Sequence, residues 1–160
     1  MERLWAPWRM EYILEPHRDE CIFCEALKKG EEGYTLVREE LAFVIMNTFP
    51  YNNGHIMVAP TRHIGDIGNL SDEEMLSISR LVKKSLQILQ DKLKPDAFNI
   101  GMNLGRVAGA GVEDHIHIHI VPRWNGDTNF MPVISNTKIV SQALEETYRI
   151  LKEGFSKIKG

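Results

Sequence analysis

Asp114-His115-Ile116-His117-Ile118-His119-Ile120-Val121 is the stretch that decides the fold of this 160-residue chain. A β-strand turns alternate side chains to opposite faces and advances about 3.3 Å per residue. The run therefore predicts a strand with His115, His117 and His119 on one face. Ile116, Ile118 and Ile120 point the other way, into a core. Half of the chain's six histidines sit on this one element. An imidazole on a strand must be solvated, hydrogen-bonded or metal-bound, so three in register predict a site.

Outward from this strand, a glycine-rich loop runs from Gly105 to Gly111, and Pro122 is expected to end the strand on its far side. Phe98–Asn103 alternates, with Phe98, Ile100 and Met102 on one face. Tyr34–Arg38, Ala42–Asn47 and His55–Ala59 read as further strands, and Asn52-Asn53-Gly54 is a turn between the last two. Ser71-Asp72-Glu73-Glu74 is a capping box that opens a helix. Its apolar face is expected along Met75, Ile78, Val82, Leu86, Leu89 and Leu93, widened by Leu81 and Ile88, and Pro95 stops it. A second amphipathic helix is expected from Lys138 to Ile158, and a short one over Glu25–Lys29. Mixed strands with two main helices give an α+β fold around an antiparallel sheet. Residues 1–160 are expected to form one domain, with residues 1–20 as an aromatic-anchored arm.

Composition narrows the function. The chain is 43% hydrophobic and 26% charged, as soluble globular proteins are. A net charge of −3 gives no general footprint for a nucleic-acid duplex. No apolar run approaches the roughly 20 residues needed to span a bilayer. No apolar leader opens the chain, and two closely spaced cysteines are no secreted disulfide framework. A cytoplasmic protein with no membrane partner is expected.

The histidine strand suits phosphorus chemistry. A neutral imidazole can attack phosphorus and split one hard displacement into two easier ones. Neighbouring imidazoles can hydrogen-bond the non-bridging oxygens. His117, flanked on both sides, is the natural nucleophile. The glycines before the strand let backbone N–H groups approach an anion. His55 adds a further imidazole. The alternatives are a metal held by all three strand histidines and a polar face without chemistry.

His115-Ile116-His117-Ile118-His119-Ile120-Val121 resembles the signature of the histidine triad superfamily of nucleotide hydrolases and transferases. Similarity extends from about Cys21 to Trp124. Asn47 stands eight positions before His55, as in the fragile-histidine-triad branch. Trp5-Ala6-Pro7-Trp8-Arg9 and the stretch from Pro122 to Phe130 resemble bacterial diadenosine tetraphosphate phosphorylases. The resemblance implies an antiparallel five-stranded sheet, a homodimer, and cleavage of dinucleoside polyphosphates through a covalent nucleotidyl-histidine. His117 would be the nucleophile, His119 would bind phosphate, and His55 would assist. Asn47 would contact the ribose and Asn103 the substrate phosphates. Ala110, Gly111 and Val112 would offer backbone contacts to phosphate. Val112 departs from the serine or threonine that many members carry there. A nucleotide-binding or sensing module with little turnover is the alternative. Water or phosphate as acceptor, the base and the polyphosphate length stay open.

Cys21-Ile22-Phe23-Cys24 is a C-x-x-C pair. It suits half of a Zn²⁺ site, a redox pair or two small core residues. No second C-x-x-C exists, so histidine must complete a zinc site. Zinc-containing histidine triad proteins resemble the chain here too. That likeness implies His63, in Pro60-Thr61-Arg62-His63, and His115 as the remaining ligands. His115 would then hold metal and be withdrawn from nucleophilic duty.

Overall fold

The computed structural model describes residues 20–128 and 143–157. The aromatic arm, His17, Asn129, Phe130 and the start of the last expected helix lie outside the described residues. In chain order the elements are α1 (Ile22–Lys29), β1 (Thr35–Arg38), β2 (Ala42–Met46), β3 (Ile56–Pro60), α2 (Asp72–Leu93), β4 (Ala97–Gly101), β5 (Ile118–Arg123) and α3 (Leu144–Lys157). The five strands form one antiparallel sheet in the order β1-β2-β3-β5-β4. The α+β fold expected from the sequence is present, with α1 as a third helix.

Strand alternation divides the sheet into two jobs. Leu36, Val44, Met46, Ile56, Val58 and Ile120 turn to one face, where they pack with Ile78, Leu81, Ile88 and Leu89 of α2 and Leu151 and Phe155 of α3. Phe43, Ile45, Met57 and Ala59 turn to the other face, under Phe23 and Ala26 of α1. All five residues of β2 are buried, because both faces are covered. His119 of β5 pairs with Met57 of β3, on the α1 side of the sheet. The helical layer is thus a rigid support and the α1 face carries the polar chemistry.

The capping box is closed in both directions. Ser71 Oγ accepts from the Glu74 N–H at 3.2 Å, and Glu74 Oε2 accepts from the Ser71 N–H at 2.8 Å. Lys94, left-handed at φ 49°, ends α2 ahead of Pro95. The buried face is rotated from the expected one. Leu81, Ser85 and Ile88 lie at its centre, whereas Met75 is exposed and Val82, Leu86 and Leu93 flank it. The cause is α3, which presses on that side. A Cβ on Gly154 would stand 2.7 Å from Ile88 Cγ2, so the α3 backbone lies directly against the Ile88 side chain.

β1 to β3 shift from their expected bounds by one residue, β4 ends at Gly101 rather than Asn103, and both ends of β5 differ from expectation. β5 begins at Ile118, so His115 and His117 precede the ladder. Pro60, which ends β3, has no N–H to offer, and its carbonyl accepts from His115 Nε2 at 2.8 Å. The Ile116 N–H donates to Ile64 O at 2.7 Å, outside any strand. Side chains and loop atoms there do what a ladder would. At the other end β5 runs through Pro122 to Arg123. The β3 ladder stops at Ile56–Ile120, so the missing Pro122 N–H faces no strand partner. Pro122 O accepts from Asn52 Nδ2 instead, at 3.0 Å.

No helix among the described residues is long and apolar enough to cross a membrane. The loop after β3 is tied to α2 by Arg62, whose Nε and Nη2 reach Glu74 Oε1 and Oε2 at 2.8 and 2.7 Å. Arg62 and the Ser71 N–H hold the Glu74 carboxyl down to about 2. Its contribution is therefore complete above the usual carboxylate range, near 4, and fades as the pH falls toward 2. Glu74→Gln should lower the melting temperature by a few degrees near neutral pH. The gap to wild type should close in acid, as thermal denaturation across pH would show.

Candidate active site and metal centre

His117 is 6% exposed, and its Nδ1 donates to the carbonyl of His115 at 2.8 Å. That bond puts the proton on Nδ1 and the lone pair on Nε2. Burial pushes the His117 pKa down, against the opposing pull of the carbonyl, which favours a neutral ring. Phe23 of α1 lies over the pair, 4.6 Å from the His117 ring and 5.0 Å from the His115 ring. The sequence pattern of α1 explains its presence, since Phe23 and Ala26 form its buried stripe.

His119 sits one strand period on, its ring 4.8 Å from His117 and turned by 75°. Its Nδ1 lies 2.9 Å from Nε2 of His55, which is fully buried just before β3. Asn47 joins this group. Its backbone N–H donates to His55 O at 2.9 Å, and its side-chain Oδ1 accepts from the Phe49 N–H at 2.9 Å. Of the predicted residues, His117, His119, His55 and Asn47 thus come together on the α1 face.

The glycine loop is placed differently. Asn103 Nδ2 donates to Gly109 O at 3.2 Å, and the Ala110 N–H donates to Gly105 O at 3.2 Å. Both close the loop upon itself. Gly111 is exposed, and the Val112 side chain packs with the Phe23 cluster. The apolar Val112 thus serves packing.

Tyr51 went unnoticed in the sequence. Its ring lies 4.6 Å from His55 and 5.9 Å from His119. Only its place beside the Asn52-Asn53-Gly54 turn hinted at proximity to His55.

The second cluster forms as expected. One ligand atom each from Cys21, Cys24, His63 and His115 lie within 4.8 Å of one another. Cys21 Sγ to His115 Nδ1 is 3.4 Å, Cys24 Sγ to His63 Nδ1 is 3.4 Å, and Cys24 Sγ to His115 Nδ1 is 3.7 Å. A tetrahedral Zn²⁺ with Zn–S about 2.3 Å and Zn–N about 2.0–2.1 Å sets S···N near 3.5–3.6 Å. The residues fit such an ion. His115 Nε2 donates to Pro60 O, so its Nδ1 carries the lone pair that faces the cluster. Burial lowers the His115 pKa to about 4, keeping the ring neutral. Burial and the neighbouring Cys21 push the Cys24 thiol up, a penalty that a bound cation would offset.

Comparison with known proteins places the chain in context. Residues 29–126 match the HIT domain family. The chain is 35% identical over 161 residues to an AP-4-A phosphorylase of Mycobacterium tuberculosis, covering 94% of this chain and 83% of the relative. A histidine triad nucleotide-binding protein of unassigned role from Sulfolobus tokodaii superposes with a TM-score of 0.70 at 27% identity, over 87% of this chain and 94% of that one. A zinc-bound histidine triad family protein from Mycobacterium smegmatis superposes with a TM-score of 0.69 at 24% identity, over 87% and 95%.

Proposed function

The chain belongs to the HIT domain family, and from that premise we propose that it is a nucleotidyl hydrolase or transferase cleaving dinucleoside polyphosphates such as diadenosine tetraphosphate. The observation that carries this reading is the 2.8 Å bond from His117 Nδ1 to His115 O. It leaves Nε2 as the nucleophile, beside a second imidazole. His117 Nε2 attacks the phosphorus next to adenosine. A P–N bond forms, and the P–O bond to the departing polyphosphate breaks. His119 donates to a non-bridging oxygen, where charge develops. Water or inorganic phosphate then breaks the P–N bond and releases the nucleotide. His55 supports His119, and Asn47 approaches the ribose. The likeness to an AP-4-A phosphorylase supports an enzyme of this class. Asn103 and the backbone of Ala110, Gly111 and Val112 would meet the substrate phosphates once the loop opens its internal bonds.

Zn²⁺ is the cofactor we assign to Cys21, Cys24, His63 and His115. Its role is structural: it supplies a fixed point for the segment that leads to His117. The donor set, the S···N distances and the shared fold with a zinc-bound protein support this. The protein is further read as a homodimer. β4 is an edge strand whose Ile100 is 48% exposed, the kind of edge a two-fold partner covers.

Incubation with diadenosine tetraphosphate, with and without phosphate, tests the activity. ATP plus ADP formed only with phosphate marks a phosphorylase, and ATP plus AMP a hydrolase. His117→Ala should lower turnover about a thousandfold or more while the fold is kept. Mass spectrometry should trap a nucleotidyl adduct on His117; two ADP as products, or full turnover by the variant, would sink the reading. Elemental analysis of the purified protein should find one zinc per chain, lost in Cys24→Ser. Light scattering should give the mass of two chains, and a single-chain mass at working concentration would refute the dimer.

A further inference from the structure

The turn between β2 and β3 is held more firmly than a connection requires. Asn52 Nδ2 donates to Pro122 O at 3.0 Å and to Asp127 Oδ2 at 2.7 Å. Asp127 is fixed in turn by Arg123 Nε at 2.6 Å, Arg123 Nη2 at 2.9 Å and the Trp124 N–H at 3.1 Å. From the other side Thr147 Oγ1 of α3 donates to Asn53 Oδ1 at 2.9 Å. Gly54, at φ 72°, lies where a Cβ would stand 2.5 Å from Leu93 Cδ1. To the His55 ring nitrogens this clamped turn presents the Tyr51 N–H, which donates to His55 Nδ1 at 3.1 Å.

A ring nitrogen that accepts a hydrogen bond carries no proton. Neutral His55 therefore holds its proton on Nε2. That proton lies toward His119 Nδ1, at 2.9 Å. The reverse direction would leave His55 accepting at both nitrogens, an imidazolate. His119 Nδ1 accepts in its turn, so the proton of neutral His119 is on Nε2. Asn47 Nδ2, 3.4 Å from His55 Nε2, cannot donate to a nitrogen that already holds a proton, so that contact is packing. The Tyr51 ring covers both imidazoles and keeps them in register.

We propose that Tyr51, Asn52 and Asp127 are positioning residues that select the tautomer of His119. The clamped turn offers the Tyr51 amide to His55, and His55 passes the selection to His119 as an Nε2–H donor for a phosphate oxygen. The proposal rests on the reading of His119 as that donor. No proton is transferred; each stays on its nitrogen. Because the donor meets charge that develops during reaction, its loss falls on kcat more than on KM.

Long-range proton–nitrogen correlation spectra of the full-length protein read the tautomers directly, at about pH 8 where imidazoles are neutral. The expected pattern is Nε2–H for His55 and His119 and Nδ1–H for His117. Asn52→Ala should shift His55 and His119 to mixed tautomers, leave His117 unchanged, and lower kcat about tenfold with KM little changed. Tyr51→Phe, which keeps the amide, should retain the wild-type pattern. A wild-type proton on Nδ1 of His55 or His119 overturns the proposal. So does Asn52→Ala with unmoved ring signals, or Tyr51→Phe with signals moved as far. The wild-type spectrum decides even where a variant fails to fold. If the pattern holds while His117→Ala still turns over substrate, the enzymatic reading fails and the tautomer selection stands.

Discussion

His115 is the residue on which the rest of the site depends, because three of its groups are engaged in three directions. Its Nδ1 faces Cys21 and Cys24, its Nε2 donates to Pro60 O, and its carbonyl accepts from His117. A ring with Nε2 bound to a carbonyl must offer a lone pair at Nδ1. The Cys21–Cys24–His63 group and the end of β3 therefore fix one imidazole between them. Its backbone then fixes the next. Structural order at the cluster reaches His117 through a single residue, with no flexible side chain between.

The sheet makes this arrangement affordable. Its α2–α3 face buries a continuous apolar cluster of Leu, Ile, Val, Met and Phe side chains. The opposite face has a smaller cluster under α1, and Phe23 seals its boundary with the histidines. Desolvation keeps His115 and His117 neutral. One helix thus supplies Cys24, the aromatic cover and the low-dielectric wall, and Cys21 stands just before its first turn.

Much of this was legible in the residues. Alternation of His and Ile sorted the two faces correctly, because side-chain direction on an extended chain is a local property. The capping box and the Asn52-Asn53-Gly54 turn were equally local. The C-x-x-C announced a cluster, although its partners His63 and His115 needed family likeness, being 39 and 91 residues from Cys24. What stayed hidden was tertiary. The buried face of α2 turned toward Leu81 and Ser85 because Gly154 lets α3 come close. Pro122 remained within β5 because β3 had already ended beside it. Tyr51 could not be seen as a neighbour of His119, since only the pairing of β3 with β5 brings them together.

Three histidines spaced identically in sequence end in three different states, and the difference lies in what each Nδ1 meets. For His115 it meets thiols, for His117 a backbone carbonyl, for His119 the proton of another imidazole. A carbonyl can only accept, so it forces a proton onto His117 Nδ1. A protonated nitrogen can only donate, so it forces the proton of His119 to the far side. Adjacent rings 4.8 Å apart thereby carry opposite tautomers. One carries its lone pair at Nε2 and the other its proton at Nε2. The proposed roles, His117 as nucleophile and His119 as oxyanion donor, need this pairing. A run of identical residues yields it only because its two ends are anchored to different chemistry.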